Sequence, residues 1–333
     1  MNYEKIILTL LVASSFLATA QETEDTGTFT LSGTVDVYGT TNFTNAPGTP
    51  GILIANPENA NAFGLGFANT VFAYEKGKAG VVADLAFGPR ADDANLAGAI
   101  NQLYAYYNVS DKVTLTAGQF NTFLGYEVIN PSANFNYTVS YLFNAGPFSH
   151  TGIKMNYAAS EDLSFMLALT NAHALSSADG NAADATQFGA QIGYKGQYLN
   201  FISGAIDDAS AKDYIFLDYT GGFDLSDSFY VGLNAAYVNS NNDDAGYYGA
   251  ALYLQNKFSD KFSLGLRPEI FTATSGAGDS SVTAFTVTSN VNLTSNLKFI
   301  TDLRFDNSDD YIIEAFPTEK SVTALTIAAV YSF

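Results

Sequence analysis

Hydrophobic and polar residues alternate along most of the chain, in segments of about ten residues. Because successive side chains of a β-strand point to opposite faces, each such segment has one apolar face and one polar face. In segment 296–307, Leu297 and Phe299 lie on one face while Lys298 and Asp302 lie on the other. Sixteen segments of this kind are predicted to be strands, at 28–40, 62–74, 79–88, 99–109, 112–121, 148–158, 162–171, 186–195, 198–206, 213–222, 228–239, 246–256, 261–273, 281–292, 296–307 and 320–333.

The connections between these segments alternate between short and long. A short one, 110–111, contrasts with the four longest, which are 41–61, 89–98, 122–147 and 172–185. Bacterial outer-membrane barrels have short periplasmic turns and longer external loops, and an even number of strands. The alternation therefore predicts that both termini lie in the periplasm and that 122–147 is the third external loop.

Charged residues within the predicted strands fall on the face opposite the apolar one. They are Asp36, Asp84, Lys154, Asp218, Arg267, Glu269, Lys298, Asp302 and Arg304. An Arg or Lys on the lipid face at the bilayer midplane would cost about 2 to 4 kcal/mol, so a membrane barrel excludes charge from that face. Only 14% of residues are charged, against about 25% in an ordinary soluble domain. These observations predict an all-β fold: a transmembrane antiparallel β-barrel of about sixteen strands with a long third external loop. A soluble β-sandwich or β-solenoid is the alternative.

The N-terminal residues have the order of a signal peptide, with Lys5, an apolar run over 6–16 and small residues at 18–20. We therefore expect a signal peptide at 1–20 and one outer-membrane β-barrel domain at 21–333, in the outer membrane of a Gram-negative bacterium. The chain has no Cys, so neither a disulfide nor a thiolate metal site is available. Its net charge of −19 argues against nucleic-acid binding, which needs a basic surface.

Several blocks of the sequence are similar to a known family. The specific ones are GQFNTFLGYE at 118–127, NYT at 136–138 and GPFSHTG at 146–152, and the segments 33–38 and 188–194 are also similar. In these blocks the chain resembles the OmpL-like putative β-barrel porin family. The resemblance implies a barrel fold, an outer-membrane location and a porin role. It supplies no catalytic or substrate-binding residues.

A sixteen-stranded barrel encloses a lumen wide enough for an aqueous channel, whereas about eight strands would be filled by side chains. We therefore expect a porin that allows passive diffusion of small hydrophilic solutes, with no cofactor. By analogy with general porins, loop 122–147 is expected to fold inward and narrow the pore. The loop residues predicted to form this constriction are Glu127, Asn130, Ser132, Asn134, Asn136 and Tyr137. The inward residues predicted to line the pore are Lys154, Arg267, Glu269, Lys298, Asp302 and Arg304.

Two features of this constriction have more than one interpretation. Glu127 is expected to set up a weak transverse field towards the basic residues of the opposite wall. Alternatively, the charged wall residues form a neutralised network that only rigidifies the wall. Segment 134–143 alternates through Phe135, Tyr137 and Val139, which is also compatible with a further strand. An odd number of strands would place the later long loops in the periplasm, so the segment is assigned to the third loop.

The predicted external loops carry most of the negative charge. Four acidic pairs belong to them, at Asp92-Asp93, Asp207-Asp208, Asp243-Asp244 and Asp309-Asp310. At low salt these pairs are expected to attract cations to the outer mouth. Bridging to surface lipid phosphates through divalent ions is the alternative role.

Two other function classes remain open on the sequence alone. One is a structural or adhesive outer-membrane barrel with a blocked lumen. The other is an enzyme, but the only imidazoles are His150 and His173, and His150 has no identifiable nucleophile and acid as partners. The expected partners are outer-membrane lipid, small hydrophilic solutes and the barrel-assembly machinery, which would bind the C-terminal Phe333. The chain is expected to be a monomer or a homotrimer.

Overall fold

The computed structural model describes residues 26–44, 61–94, 98–172, 186–205, 214–240, 245–308 and 320–333. The predicted signal peptide, His173 and the acidic pairs at 207–208, 243–244 and 309–310 lie outside the described residues.

Sixteen antiparallel strands close into one barrel, in which each strand pairs with its neighbours in sequence and the first pairs with the last. This confirms the predicted fold class, strand number and strand order. The strands are β1 (Thr28–Asn42), β2 (Asn61–Lys76), β3 (Ala79–Phe87), β4 (Ile100–Ser110), β5 (Val113–Asn121), β6 (Ser149–Ala158), β7 (Leu163–Asn171), β8 (Thr186–Tyr194), β9 (Gln197–Gly204), β10 (Tyr214–Asp224), β11 (Phe229–Asn239), β12 (Gly246–Ser259), β13 (Phe262–Thr274), β14 (Ser280–Asn292), β15 (Leu297–Ser308) and β16 (Ser321–Ser332).

The barrel closes where β1 meets β16. Their register runs from Thr34 opposite Ser332 to Asn42 opposite Ala324. Just beyond it, the backbone amides of Gly33 and Phe333 each donate to the other residue's carbonyl, at 3.0 Å in both directions. The C-terminal residue is therefore part of the closing hydrogen-bond ladder, which leaves no free strand edge.

The part of the chain that the structure describes contains two short helices that were not predicted from the sequence. Helix α1 (Pro89–Ala94) lies in the connection between β3 and β4, and helix α2 (Tyr141–Ala145) lies between β5 and β6. Within the described residues, no helix is long and apolar enough to cross a membrane. The alternating stretch 134–143 forms no strand.

The short turns follow from local backbone chemistry. The β8–β9 hairpin has a two-residue turn in which Lys195 and Gly196 both have positive φ, 50° and 77°. Positive φ at both central residues is typical of the type I′ turn, whose twist matches that of the two flanking strands. Glycine adopts positive φ without strain. This end of the barrel therefore has compact connections.

The two faces of the wall differ as the alternation predicts. Outward side chains are apolar and exposed, such as Leu167 and Ile153, while Asp84 and Asp218 point inward and are buried. Outward aromatic residues gather near the strand ends with the short turns, where they form one of the girdles typical of outer-membrane barrels. They include Tyr107, Tyr157, Phe165, Tyr194, Phe223, Phe258 and Tyr331.

Candidate functional site: a loop anchored across the lumen

The connection between β5 and β6, residues 122–148, folds into the barrel, and we call it the lumen loop. Its side chains pack against several parts of the inner wall. Leu124 is buried against β9–β11, and Val139 and Phe143 are buried against β2, β3 and α1. Leu142 is buried against β12–β14. Apolar contacts on separate sides of the lumen therefore hold the loop across it.

A buried ion pair anchors the lumen loop to β13. The guanidinium of Arg267 contacts the Glu127 carboxylate at 2.6 Å, and it donates to the carbonyls of Thr138 at 2.5 Å and Val139 at 3.1 Å. Arg267 is fully buried, with 0% of its surface exposed. A charge removed from water in this way needs an opposite charge and further hydrogen bonds. The lumen loop supplies both to Arg267, the charge through the Glu127 side chain and the acceptors through two backbone carbonyls, so the charged group and the loop fold depend on each other.

A second polar anchor lies on β15. The Asp302 carboxylate accepts from the backbone amide of Thr138 at 2.7 Å and from its hydroxyl at 2.8 Å. Arg304 donates to the Val139 carbonyl at 2.7 Å and pairs with Asp306 at 2.8 Å. All these groups are buried, so the same short stretch of loop is held by two strands of the wall, β13 and β15.

The helix of the lumen loop is held by acidic groups of the wall. Glu269 on β13 accepts from the backbone amide of Leu142 at 2.9 Å, and Asp306 accepts from the Tyr141 hydroxyl at 3.0 Å. Burial raises the pKa of Tyr141 well above its ordinary value. The hydroxyl therefore keeps its proton and remains a donor to the carboxylate.

On the β1 side, Tyr137 donates a hydrogen bond to the carboxylate of Asp36. Burial raises the pKa of Tyr137 well above its ordinary value, so this donor also keeps its proton. Asn130 donates to the Thr34 hydroxyl at 3.0 Å. A side chain at Gly66 on β2 would overlap the Asp36 carboxylate and the Tyr137 hydroxyl, so this contact requires glycine there.

Helix α1 adds an anchor from the neighbouring external connection. Arg90 is fully buried and donates to the carbonyls of Tyr137 at 2.5 Å and Ile129 at 3.3 Å. Its guanidinium also lies 4.8 Å from the centre of the Tyr137 ring. Sequence reasoning missed Arg90, since nothing in its local pattern marks it. By contrast, Asp36 and Asp218 lie at positions of the alternating pattern that point into the barrel. That pattern could have identified them as two further anchors of the loop.

The six predicted constriction residues all lie in the lumen loop, inside the barrel. Four of them, Glu127, Asn134, Asn136 and Tyr137, are buried, whereas Asn130 and Ser132 are half-buried. Asn136 donates to the Thr288 hydroxyl of β14 at 2.5 Å. The sequence suggested an electric field directed from Glu127 across the lumen to basic residues of the opposite wall. In the structure, Glu127 instead contacts the basic Arg267 directly. Contact between the two charges offsets part of the cost of burying both.

The six predicted pore-lining residues divide into two groups. Arg267, Glu269, Asp302 and Arg304 are at most 2% exposed and lie beneath the lumen loop. They anchor the loop and do not face open lumen. The half-buried Lys154 and Lys298 are the two that keep contact with solvent.

The two lysines have different surroundings. The Lys298 ammonium donates to the loop carbonyls of Ser132 at 2.8 Å and Asn134 at 3.2 Å. The Lys154 ammonium lies 4.2 Å from the centre of the Phe120 ring on β5. Lys298 is therefore held by the lumen loop, whereas Lys154 projects from the opposite wall.

A closed barrel of sixteen strands with an apolar outer face, a polar inner face and an inward loop defines an outer-membrane β-barrel of the porin class. The chain belongs to the family described as "Putative beta-barrel porin-2, OmpL-like", whose model matches residues 28–333. It is an outer-membrane porin for small solutes. The family resemblance seen in the sequence is thereby confirmed.

Solved structures of the same fold come from several bacteria. The outer membrane channel DcaP of Acinetobacter baumannii has 13% identity and a TM-score of 0.64, and the match covers 94% of this chain and 99% of that one. The anion-selective porin from Comamonas acidovorans has 12% identity and a TM-score of 0.65, covering 92% and 100%. Pseudomonas aeruginosa OccK2 (OpdF), in complex with glucuronate, has 9% identity and a TM-score of 0.52, covering 92% and 98%. At these identities the likeness concerns the fold. A sequence search of curated proteins finds no match.

Proposed function

We propose that small hydrophilic solutes diffuse passively through this porin along the inner wall formed by β4–β8, past the face of the lumen loop. The observation that supports this route is an asymmetry of burial. Most inward residues of β13–β16 lie buried beneath the loop, whereas Tyr104, Lys154, Asn156 and Ser164 on β4, β6 and β7 keep part of their surface exposed. The loop therefore occupies one side of the lumen more fully than the other.

The charge along this route comes from one side chain. Lys154 is the single charged residue within the described strands β4–β8. A partly desolvated ammonium in a narrow passage attracts anions and repels cations more strongly than an exposed one. We infer that Lys154 gives the passage a preference for anions, while the acidic external loops act on cations at the outer mouth and are screened by salt.

The porin acts without a cofactor and without covalent chemistry. We further propose that 1–20 is removed on export, that the apolar outer face contacts lipid, and that Phe333 is bound by the barrel-assembly machinery.

A homotrimer is proposed as the assembled form, and native mass spectrometry of the detergent-solubilised protein tests it. A single species at the monomer mass under several detergents would contradict the trimer.

Single-channel conductance of the purified protein in planar bilayers, followed by a liposome swelling series, tests the diffusion function. A comparator in which residues 129–144 are replaced by a short Gly-Ser linker removes most of the lumen loop and leaves every strand intact. We expect steady ohmic conductance from the wild type, swelling that falls with solute size, and a larger conductance from the comparator. If only the comparator conducts, the wild-type lumen is blocked, and the chain is a structural or adhesive barrel.

A further inference from the structure

A polar cavity of about 400 Å³ lies between the lumen loop and the inner wall of β10–β12. Phe135 and Asn136 line it from the loop, and Tyr230 and Gln255 line it from the wall. Asp224 lies at the periplasmic end of β10, so the cavity is on the periplasmic side of the loop. Small-molecule sites in proteins have volumes of about 300 to 1,000 Å³, so the cavity is large enough for a small solute.

Tyr126 bounds this cavity on its external side. Its ring stacks on Tyr253 with the centres 4.0 Å apart, and its hydroxyl donates to the Tyr230 hydroxyl at 3.0 Å. A Cβ at Gly232 on β11 would lie 2.8 Å from the Tyr126 hydroxyl, so the glycine makes room for this ring. The adjacent Gly125 amide donates to Asp218, which is nearer the external end of β10 than Asp224 is. A solute therefore reaches the cavity from the periplasmic side.

The groups available to a solute are neutral, aromatic or acidic. Phe135, Tyr230 and Gln255 are half-buried, and Asp224 is exposed. Glu127 also borders the cavity, but its carboxylate is already occupied by Arg267 and by the Ser140 amide at 2.7 Å. No Lys or Arg lines this cavity within the described residues. An anion would therefore find no positively charged side chain in the cavity lining to compensate its lost hydration.

We propose that this cavity binds a small neutral polyhydroxylated solute, of the size and chemistry of a monosaccharide. Hydroxyl groups both donate and accept, as do the amide of Gln255 and the hydroxyl of Tyr230. The rings of Phe135 and Tyr230 offer apolar faces to the C–H groups of such a solute. Asp224 is exposed and its charge is screened by water and salt, so it does not select a cation. The proposal rests on the proposed function in one respect, that solutes enter the lumen.

Glucose, glucosamine and glucuronate have similar size and different charge, so they test the cavity chemistry directly. Each is added to one side of a bilayer holding a single channel, and transient blockades of the ion current are counted. The orientation of each channel is determined with an Asp111→Cys variant, whose thiol lies in the periplasmic β4–β5 turn. An impermeant thiol reagent reacts with it only when added to the periplasmic side. We expect glucose to block at lower concentration from the periplasmic side and glucuronate not to block. Equal blockade from both sides, or stronger blockade by either charged sugar, would overturn the proposal.

A pair of amide variants separates this cavity from the rest of the lumen. Gln255→Ala removes a hydrogen-bonding group of the cavity and is expected to raise the half-blocking glucose concentration about fivefold. Asn292→Ala removes an exposed amide at the periplasmic end of β14, outside both the cavity and the proposed route, and is expected to leave the half-blocking concentration unchanged. Saturation-transfer NMR with glucose on the detergent-solubilised variants makes the same comparison without conduction. A non-conducting barrel that still binds glucose through Gln255 would contradict the diffusion function and support the cavity. Identical binding by both variants would reject the cavity.

Discussion

At the scale of single residues, Arg267 is the group on which the lumen loop depends most. It is fully buried and pairs with the buried Glu127 at 2.6 Å. In Arg267→Met the carboxylate would remain buried without its counterion, which costs about 3 to 5 kcal/mol. We expect the loop to leave the wall and the single-channel conductance to rise, with frequent switching between two levels.

The double variant Arg267→Met/Glu127→Gln is the matched control for that prediction. It removes both charges, and replacing a buried ion pair with neutral groups is far less costly than breaking it. We therefore expect the double variant to switch less often and to regain part of the wild-type conductance. If the two variants switch equally often, the ion pair does not hold the loop.

Lys154 is expected to control charge selectivity instead of loop position. In Lys154→Gln the positive charge facing the proposed route is lost, so the reversal potential in a salt gradient should shift towards cation preference. The shift should persist at high salt, since a partly buried charge is screened less than an exposed one. Lys298→Gln is the comparison, because the Lys298 ammonium is held by loop carbonyls. An equal shift from both variants would show that the route does not follow β4–β8.

The sequence could place these residues on the inner face but could not tell which of them meet water. Parity alone put Arg267, Arg304 and Lys154 in the lumen, because a charge is excluded from the lipid face. Whether an inward residue is exposed depends on what the lumen loop covers, and that contact joins residues far apart in the chain. Arg267 and Glu127 are 140 residues apart, so no local pattern reports their pairing.

At the scale of elements, helix α1, which belongs to a different connection, holds the lumen loop through Arg90. Arg90 donates to two loop carbonyls and faces no acidic partner in these hydrogen bonds. Arg90→Met leaves those buried carbonyls without that donor, at a cost of about 1 to 3 kcal/mol. We expect its conductance to switch less often than that of Arg267→Met and more often than that of the wild type. Switching in Arg90→Met as frequent as in Arg267→Met would show that the Arg267–Glu127 ion pair is not the stronger of the two anchors.

The strands were predictable and the two helices were not, for a physical reason. Each strand faces lipid on one side, so its apolar residues must recur at every second position. Residues 136–143 contact protein all round: Val139 packs towards β2 and β3, and Leu142 packs towards β12–β14. The apolar residues at alternate positions, Tyr137, Val139 and Tyr141, pack against three different parts of the wall, so the pattern resembles a strand without forming one.

At the scale of the whole molecule, the pairing of β1 with the C-terminal end of the chain concerns both the assembly of the barrel in the membrane and its stability. The backbone of Phe333 exchanges two hydrogen bonds with Gly33, and its ring packs so close to Gly33 that a Cβ there would lie 2.7 Å from it. Phe333→Ala keeps the backbone pairing and removes the ring, whereas Phe333→Tyr keeps both. The ring is about half exposed, so its loss should change the free energy of unfolding only modestly.

If the assembly machinery binds the Phe333 ring, cells and vesicles should respond differently to its loss. We expect the amount of folded Phe333→Ala in the outer membrane to fall severalfold, while its refolding into lipid vesicles without machinery stays close to that of the wild type. Phe333→Tyr should behave as the wild type in both assays, since it offers the same aromatic terminus. Heat-modifiable electrophoresis measures the folded fraction in each case. A parallel loss in vesicles would assign the role of Phe333 to barrel closure, and equal levels in cells would show that the ring is not recognised.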